Sequence, residues 1–255
     1  MMRRTFIASL SVAIGVVAAS AAWAASGAKA PQSIDWSHGG IAGTYDRAAA
    51  QRGYQVYREV CASCHGLKYV AFRNLLEIGF SEDEAKAIAA EVEVEGGPDK
   101  DGEMFDRPAA LFDYHPSPFP NDNAAKASNN GAMPPDLSLI EKARTGGANY
   151  LYSFLLGFEE APADVTVGEG QHYNPYFPGG LLSMPSVLED DLVEYTDGTA
   201  ATADQMARDV STFLAWAAEP KMEIRKQTGF KVIIFLVILS GLLYAAKRKV
   251  WANLH

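Results

Sequence analysis

The sequence predicts a mainly α-helical domain with long loop insertions, carried on one C-terminal transmembrane helix. Three observations lead there: a Cys-x-x-Cys-His motif closing a helical stretch, a capped aromatic helix late in the chain, and a nineteen-residue apolar run behind it. Composition is compatible with this and excludes several classes. With 48% hydrophobic and 21% charged residues in 255, the chain is not disordered, collagenous or disulfide-stapled. A net charge of -9 argues against nucleic acid as a partner, because phosphate backbones require a basic face.

The two hydrophobic ends have different designs. Met1 to Ala24 opens on Arg3 and Arg4, runs through apolar residues from Phe6 to Ala19 and ends in Ala22-Trp23-Ala24. That is the layout of a secretory signal peptide cut after Ala24. Residues 228–246, TGFKVIIFLVILSGLLYAA, contain Lys231 as their only charge. As a helix they span about 28 Å, close to the ~30 Å of bilayer hydrocarbon, and Lys231 can reach the interface from the first turn. A helix apolar all round, followed by Lys247-Arg248-Lys249, has no face for water, so it is read as a single span in the lipid bilayer.

Charges on its two sides balance, so the signal peptide decides orientation. Residues 25–227 are exported and 247–255 form a cytoplasmic tail. Between Ala25 and Pro220 stand 13 Lys and Arg against 30 Asp and Glu, a formal -17, so a basic partner suits this domain.

Cys61-Ala62-Ser63-Cys64-His65 carries the chemistry. In c-type attachment two thiols add to the porphyrin vinyl groups and the following histidine becomes the proximal iron ligand. No other cysteine exists to complete a zinc site. The motif therefore predicts one covalently attached haem c. Tyr54, Tyr57 and Val60 lie at helical spacing upstream. Near the end of the domain, Thr202 and Gln205 open a helix as a capping box, Pro220 closes it, and Val210, Phe213, Leu214 and Ala217 form its apolar face. A first helix ending in the motif and an aromatic last helix crossing it is the plan of a class I c-type cytochrome domain.

The sixth ligand has few candidates. Met206 lies within the last helix, Met222 and His255 flank the span, Met104 sits in a polar loop, and His115 and His172 read as packed loop residues. Met133 and Met184 remain, each before a proline that can hold a ligand loop in one shape. Met184 stands about twenty residues before the last helix, the better position; Met133 stays open.

At this point the chain resembles the cytochrome c1 family over nearly all of residues 34–254. The resemblance rests on RGYQVYREVCASCHGLKYVAFRNL, EDEAKA with EVEV, DGEMFDRP, NNGAMPPDLSLI, ARTGGANYLYSFLLG, YNPYFPGG, TDGTAAT and FLAWAAEP. It implies haem ligation through Cys61, Cys64, His65 and Met184, with Arg144 facing a propionate and Tyr150 as a further cofactor contact. Met133 departs from the family's pattern, and no cysteine pair exists beyond the motif for a second bridge. The family implies an electron carrier that is not an enzyme as an isolated chain. It would serve a quinol-cytochrome c oxidoreductase with cytochrome b, accept electrons from a Rieske iron-sulfur protein and pass them to a soluble basic c-type cytochrome.

His/Met ligation leaves no vacant coordination position, which opposes a peroxidase-type reading; the alternative is a membrane-anchored shuttle to a terminal oxidase. A 24-residue leader has no room for a two-part mitochondrial presequence, so a bacterial inner membrane with the haem domain in the periplasm is expected. Ser81 to Glu84 starts a helix running to about Glu95. Gly96 to Asn130 then reads as an ordered loop serving as contact surface for other subunits.

Overall fold

The computed structural model describes residues 27–252 and is mainly helical, as expected. The signal-peptide segment 1–24 lies outside the described residues, as do the last three residues of the tail.

Helix α1, Arg47–Val56, is capped by Asp46, whose carboxylate accepts from Ala49 N. It continues through a π turn, Tyr57–Cys61, into the cysteine motif. Helix α6, Ala203–Ala218, crosses α1 and buries nearly everything from Met206 to Ala217. Gly53 marks the crossing: a Cβ there would stand 2.0 Å from the Asp209 carbonyl oxygen and 2.7 Å from the Phe213 Cβ. The close approach lets Tyr54 meet the Phe213 ring edge at 5.4 Å and Tyr57 tilt against it at 5.9 Å. Thr202 Oγ1 accepts from Gln205 N as the cap predicts, but the Gln205 side chain turns to Asp209 instead of closing the box.

The remaining elements surround this pair. A 3-10 helix, Phe72–Ile78, ends at Gly79 with φ 102°. Helix α2, Glu82–Ala90, begins with a complete capping box between Ser81 and Glu84. It stops short of the expected Glu95. Val92 and Val94 alternate with glutamates, a period-two pattern, and β1 (Glu93–Gly96) pairs antiparallel with β2 (Phe105–Pro108). The stretch expected as loop therefore holds β2 and a short helix α3, Asp122–Ser128, capped by Asn121. Helices α4 (Ile140–Ala143) and α5 (Gly147–Leu155) pack on α6, and a small hairpin joins β3 (His172–Tyr173) to β4 (Leu181–Leu182).

Helix α7, Met222–Trp251, is long and apolar enough to cross a membrane, and Met222 is its only buried residue. Thirty residues reach about 45 Å, longer than the apolar run. The extra first turn is polar and fastened to the domain. Arg47 donates twice to Glu223 at 3.0 and 2.8 Å, Tyr45 N donates to the same carboxylate, and Lys226 Nζ donates to the carbonyls of His38 and Gly43.

Candidate haem site

The motif folds as one turn, with Cys64 N and His65 N both donating to the Cys61 carbonyl, at 3.1 and 2.9 Å. Both thiols and the imidazole thus leave a single turn at the end of α1. Neither cysteine is bridged, and burial, with Cys64 adjacent, pushes the Cys61 thiol up to about 12. The Tyr57 hydroxyl donates to the His65 carbonyl and fastens the turn from α1.

His65 is oriented by the main chain opposite. Its Nδ1 lies 2.7 Å from the Pro135 carbonyl oxygen, which can only accept, so Nδ1 carries the proton and Nε2 keeps its lone pair. Burial lowers the His65 pKa, against the Pro135 bond and Asp136, favouring the neutral ring. Three further bonds join the same two segments: Leu137 N to Gly66 O at 2.9 Å, Lys68 N to Asp136 Oδ2 at 3.0 Å and Tyr69 N to Ser138 Oγ at 3.1 Å. Met133 lies two residues before Pro135 and is exposed.

The Met184 segment is held by other elements. Met184 is half-buried directly after the β3–β4 hairpin. The turn inside that hairpin hangs on α5. Buried Asn174 donates through Nδ2 to the Phe154 carbonyl at 2.7 Å, while its Oδ1 accepts from Tyr176 N and its own N–H reaches Gly180 O. Tyr150 on α5 is buried and stacks on Phe154 at 5.7 Å. Burial raises the Tyr150 phenol, and the Arg144 guanidinium beside it acts in the opposite direction. Arg144 and Tyr150 are therefore neighbours, one at the end of α4 and one on α5.

Other ligand candidates are accounted for. His115 is buried with Nδ1 donating to Val70 O at 2.7 Å and Nε2 accepting from the Tyr54 hydroxyl at 3.1 Å, while its ring stacks on Phe72. His172 and Met104 are exposed, and Met206 is fully buried within α6. Sequence reasoning overlooked the Pro135 carbonyl, a main-chain atom without a side-chain signature. It also overlooked Asn174, whose place in the N-P-Y-F-P-G run was the available signal.

A haem held by two thioethers and one imidazole nitrogen fits this donor set. The thiols are unbridged and share one turn with a neutral imidazole whose remaining nitrogen is free to ligate. Among the described residues no group of three or more His, Cys, Asp or Glu side chains is placed to cage a metal ion.

The description "Cytochrome C1 family" belongs to the family model that matches residues 36–254. Cytochrome c1 of Rhodospirillum rubrum is 48% identical over 98% of both chains. The cytochrome b-c1 complex catalytic subunit of Candida albicans is 52% identical over 87% of this chain and 77% of its own length. A protein named cytochrome b/c1 from Bradyrhizobium diazoefficiens is 48% identical over 96% of this chain and 40% of that longer protein. Motif, crossing helices, apolar α7 and these matches lead to one conclusion: the chain belongs to the cytochrome c1 family, with the c-type haem electron-transfer role that membership implies.

Proposed function

We propose that the chain holds one covalent haem c through Cys61 and Cys64, with His65 and Met184 as axial ligands, and serves as the electron-transfer subunit of a bc1-type complex beside cytochrome b. When bound, the haem supplies a one-electron iron couple. The observation that carries the ligand reading is the His65–Pro135 bond, which fixes the tautomer and leaves Nε2 as the donor. Met184 is preferred to Met133 because Met133 is exposed, whereas Met184 is half-buried on a segment tied to α5 through Asn174. Arg144 and Tyr150 would offer a guanidinium and a phenol to a propionate.

Electrons would arrive from a Rieske iron-sulfur protein and leave to a soluble basic cytochrome, which the -17 charge of residues 25–220 would attract. The signal would be cut after Ala24, residues 25–227 would form the periplasmic haem domain, 228–246 the span and 247–255 the cytoplasmic tail. Redox titration of the purified complex tests the ligand assignment. Met184→Leu should lower the haem potential by well over 59 mV, a tenfold change for one electron, and abolish the methionine signature in the spectrum. Met133→Leu should leave both near wild type. An exchange of these outcomes would assign the ligand to Met133.

A further inference from the structure

We infer that Arg52 is a positioning residue for the axial methionine, through a brace that ties the segment after Met184 to the helix carrying the haem motif. The inference rests on Met184 as the sixth ligand. Arg52 projects from α1 and splits its guanidinium between two carboxylates. Nε and Nη2 donate to Asp209 on α6 at 2.8 and 3.0 Å, and Nη1 donates to Asp197 at 2.8 Å. Asp197 belongs to the segment that links Met184 to α6. The Asp209 side chain is only 1% exposed and Arg52 15%, whereas Asp197 is 43% exposed. The guanidinium also lies over the Tyr195 ring, 5.7 Å from its centroid.

One turn further along α1, Gln55 Nε2 donates to the Glu194 carbonyl at 2.9 Å. Leu188, Val193 and Tyr195 of the same segment sink into the core. The far end is tied to the start of α6 by Asp191 N to Ala201 O and by Ala203 N to Asp190 Oδ1, both at 2.8 Å. Thus α1 leads through the π turn into the haem motif and, in its last turn and a half, grips the chain that follows Met184.

A neutral thioether is a weak ligand, so how long it stays on iron depends on how narrowly its own chain confines the sulfur. In that respect a tethered ligand resembles a linked binding module, whose effective concentration falls as the tether gains freedom. Arg52 is suited to the task because its planar fork satisfies two carboxylates at once, which a lysine ammonium cannot do in the same geometry.

The test uses the full chain in its complex and variants that spare the buried Asp209. Asp197→Asn keeps an oxygen for the Thr199 N–H but loses the charge that Arg52 grips. Gln55→Ala removes the neighbouring tie, and Arg52→Lys keeps a cation beside Asp209 while releasing Asp197. Each should retain stoichiometric covalent haem. Each should also weaken methionine ligation roughly tenfold, read as a downward shift of about one unit in the pH at which ferric haem loses its methionine signature. Carbon monoxide binding to ferrous haem should rise, with Asp197→Asn and Arg52→Lys behaving alike. A lowered melting temperature with unchanged ligand-exchange pH and no carbon monoxide binding would overturn the brace and leave Arg52 merely structural. Met184→Leu serves as the reference: if it leaves the methionine signature intact, the ligand assignment fails and the brace falls with it.

Discussion

The His65 segment and the Met184 segment are held by opposite strategies. Residues 65–69 are stitched to residues 135–138 by four hydrogen bonds, one of them on the imidazole itself. Met184 makes no hydrogen bond among the described residues; its segment is secured upstream through Asn174 and downstream through Glu194 and Asp197. The imidazole is oriented by direct contact, and Met184 only through its chain, from the paired β4 just before it and from Asp190, Glu194 and Asp197 after it. If both are ligands as proposed, the first should tolerate little change nearby, and the second should respond to substitutions well away from it.

The largest effect should come from breaking the contact side. His65→Ala removes both the donor nitrogen and the bond to Pro135, and no normal low-spin cytochrome should form; an unchanged absorption spectrum would remove the motif reading. An intermediate effect should follow where the two sides share a support. Gly53→Ala forces a methyl into the main chain of α6, and overpacking against a backbone that cannot yield costs about 2–3 kcal/mol. Thermal unfolding of the haem-loaded protein should shift down by roughly 4–12 °C, and a change near zero would mean that the crossing yields easily.

The smallest effect concerns acid. The Thr199 N–H and then the Arg52 guanidinium hold the Asp197 carboxyl down at about 2, from an ordinary 3.8. A depressed carboxylate stabilises the fold above its unfolded pKa and loses that contribution as pH falls through its folded one. Stability of the Met184 side should therefore decline between pH about 4 and about 2 more in wild type than in Asp197→Asn, as followed by acid denaturation. Parallel curves would indicate that Asp197 is not coupled to folding.

Much of this arrangement was legible in the sequence because its causes are local. The proposed covalent attachment would need contiguous cysteines and histidine, so Cys61, Cys64 and His65 stand out without a fold. A Ser-capped start likewise marks α2, and a Thr-capped start with apolar periodicity marks α6. Readings failed where local signals competed or long-range partners decided. Glu91 to Glu95 continues a good helical composition, yet the alternation of Val92 and Val94 prevails once β2 is there to pair. The alanines of α3 were masked by the glycines, prolines and asparagines around them. Nothing near Arg52 in the sequence points to Asp209, 157 residues away. Likewise, α7 outruns its apolar stretch because Glu223 and Lys226 have partners supplied by Arg47 and the His38–Gly43 loop.

That fastening at the foot of α7 has a mechanical meaning. Only Glu219, Pro220 and Lys221 separate α6 from α7, and clamps on Glu223 and Lys226 remove the slack that such a joint would otherwise have. The redox domain is thus mounted on a stiff mast. A stiff mast transmits attitude: membrane helices tilt by about 20° on average, and they adjust to the thickness of the surrounding hydrocarbon. The bearing of the electron-carrying edge relative to the bilayer is then inherited from lipid thickness and from whatever packs along the apolar surface of α7.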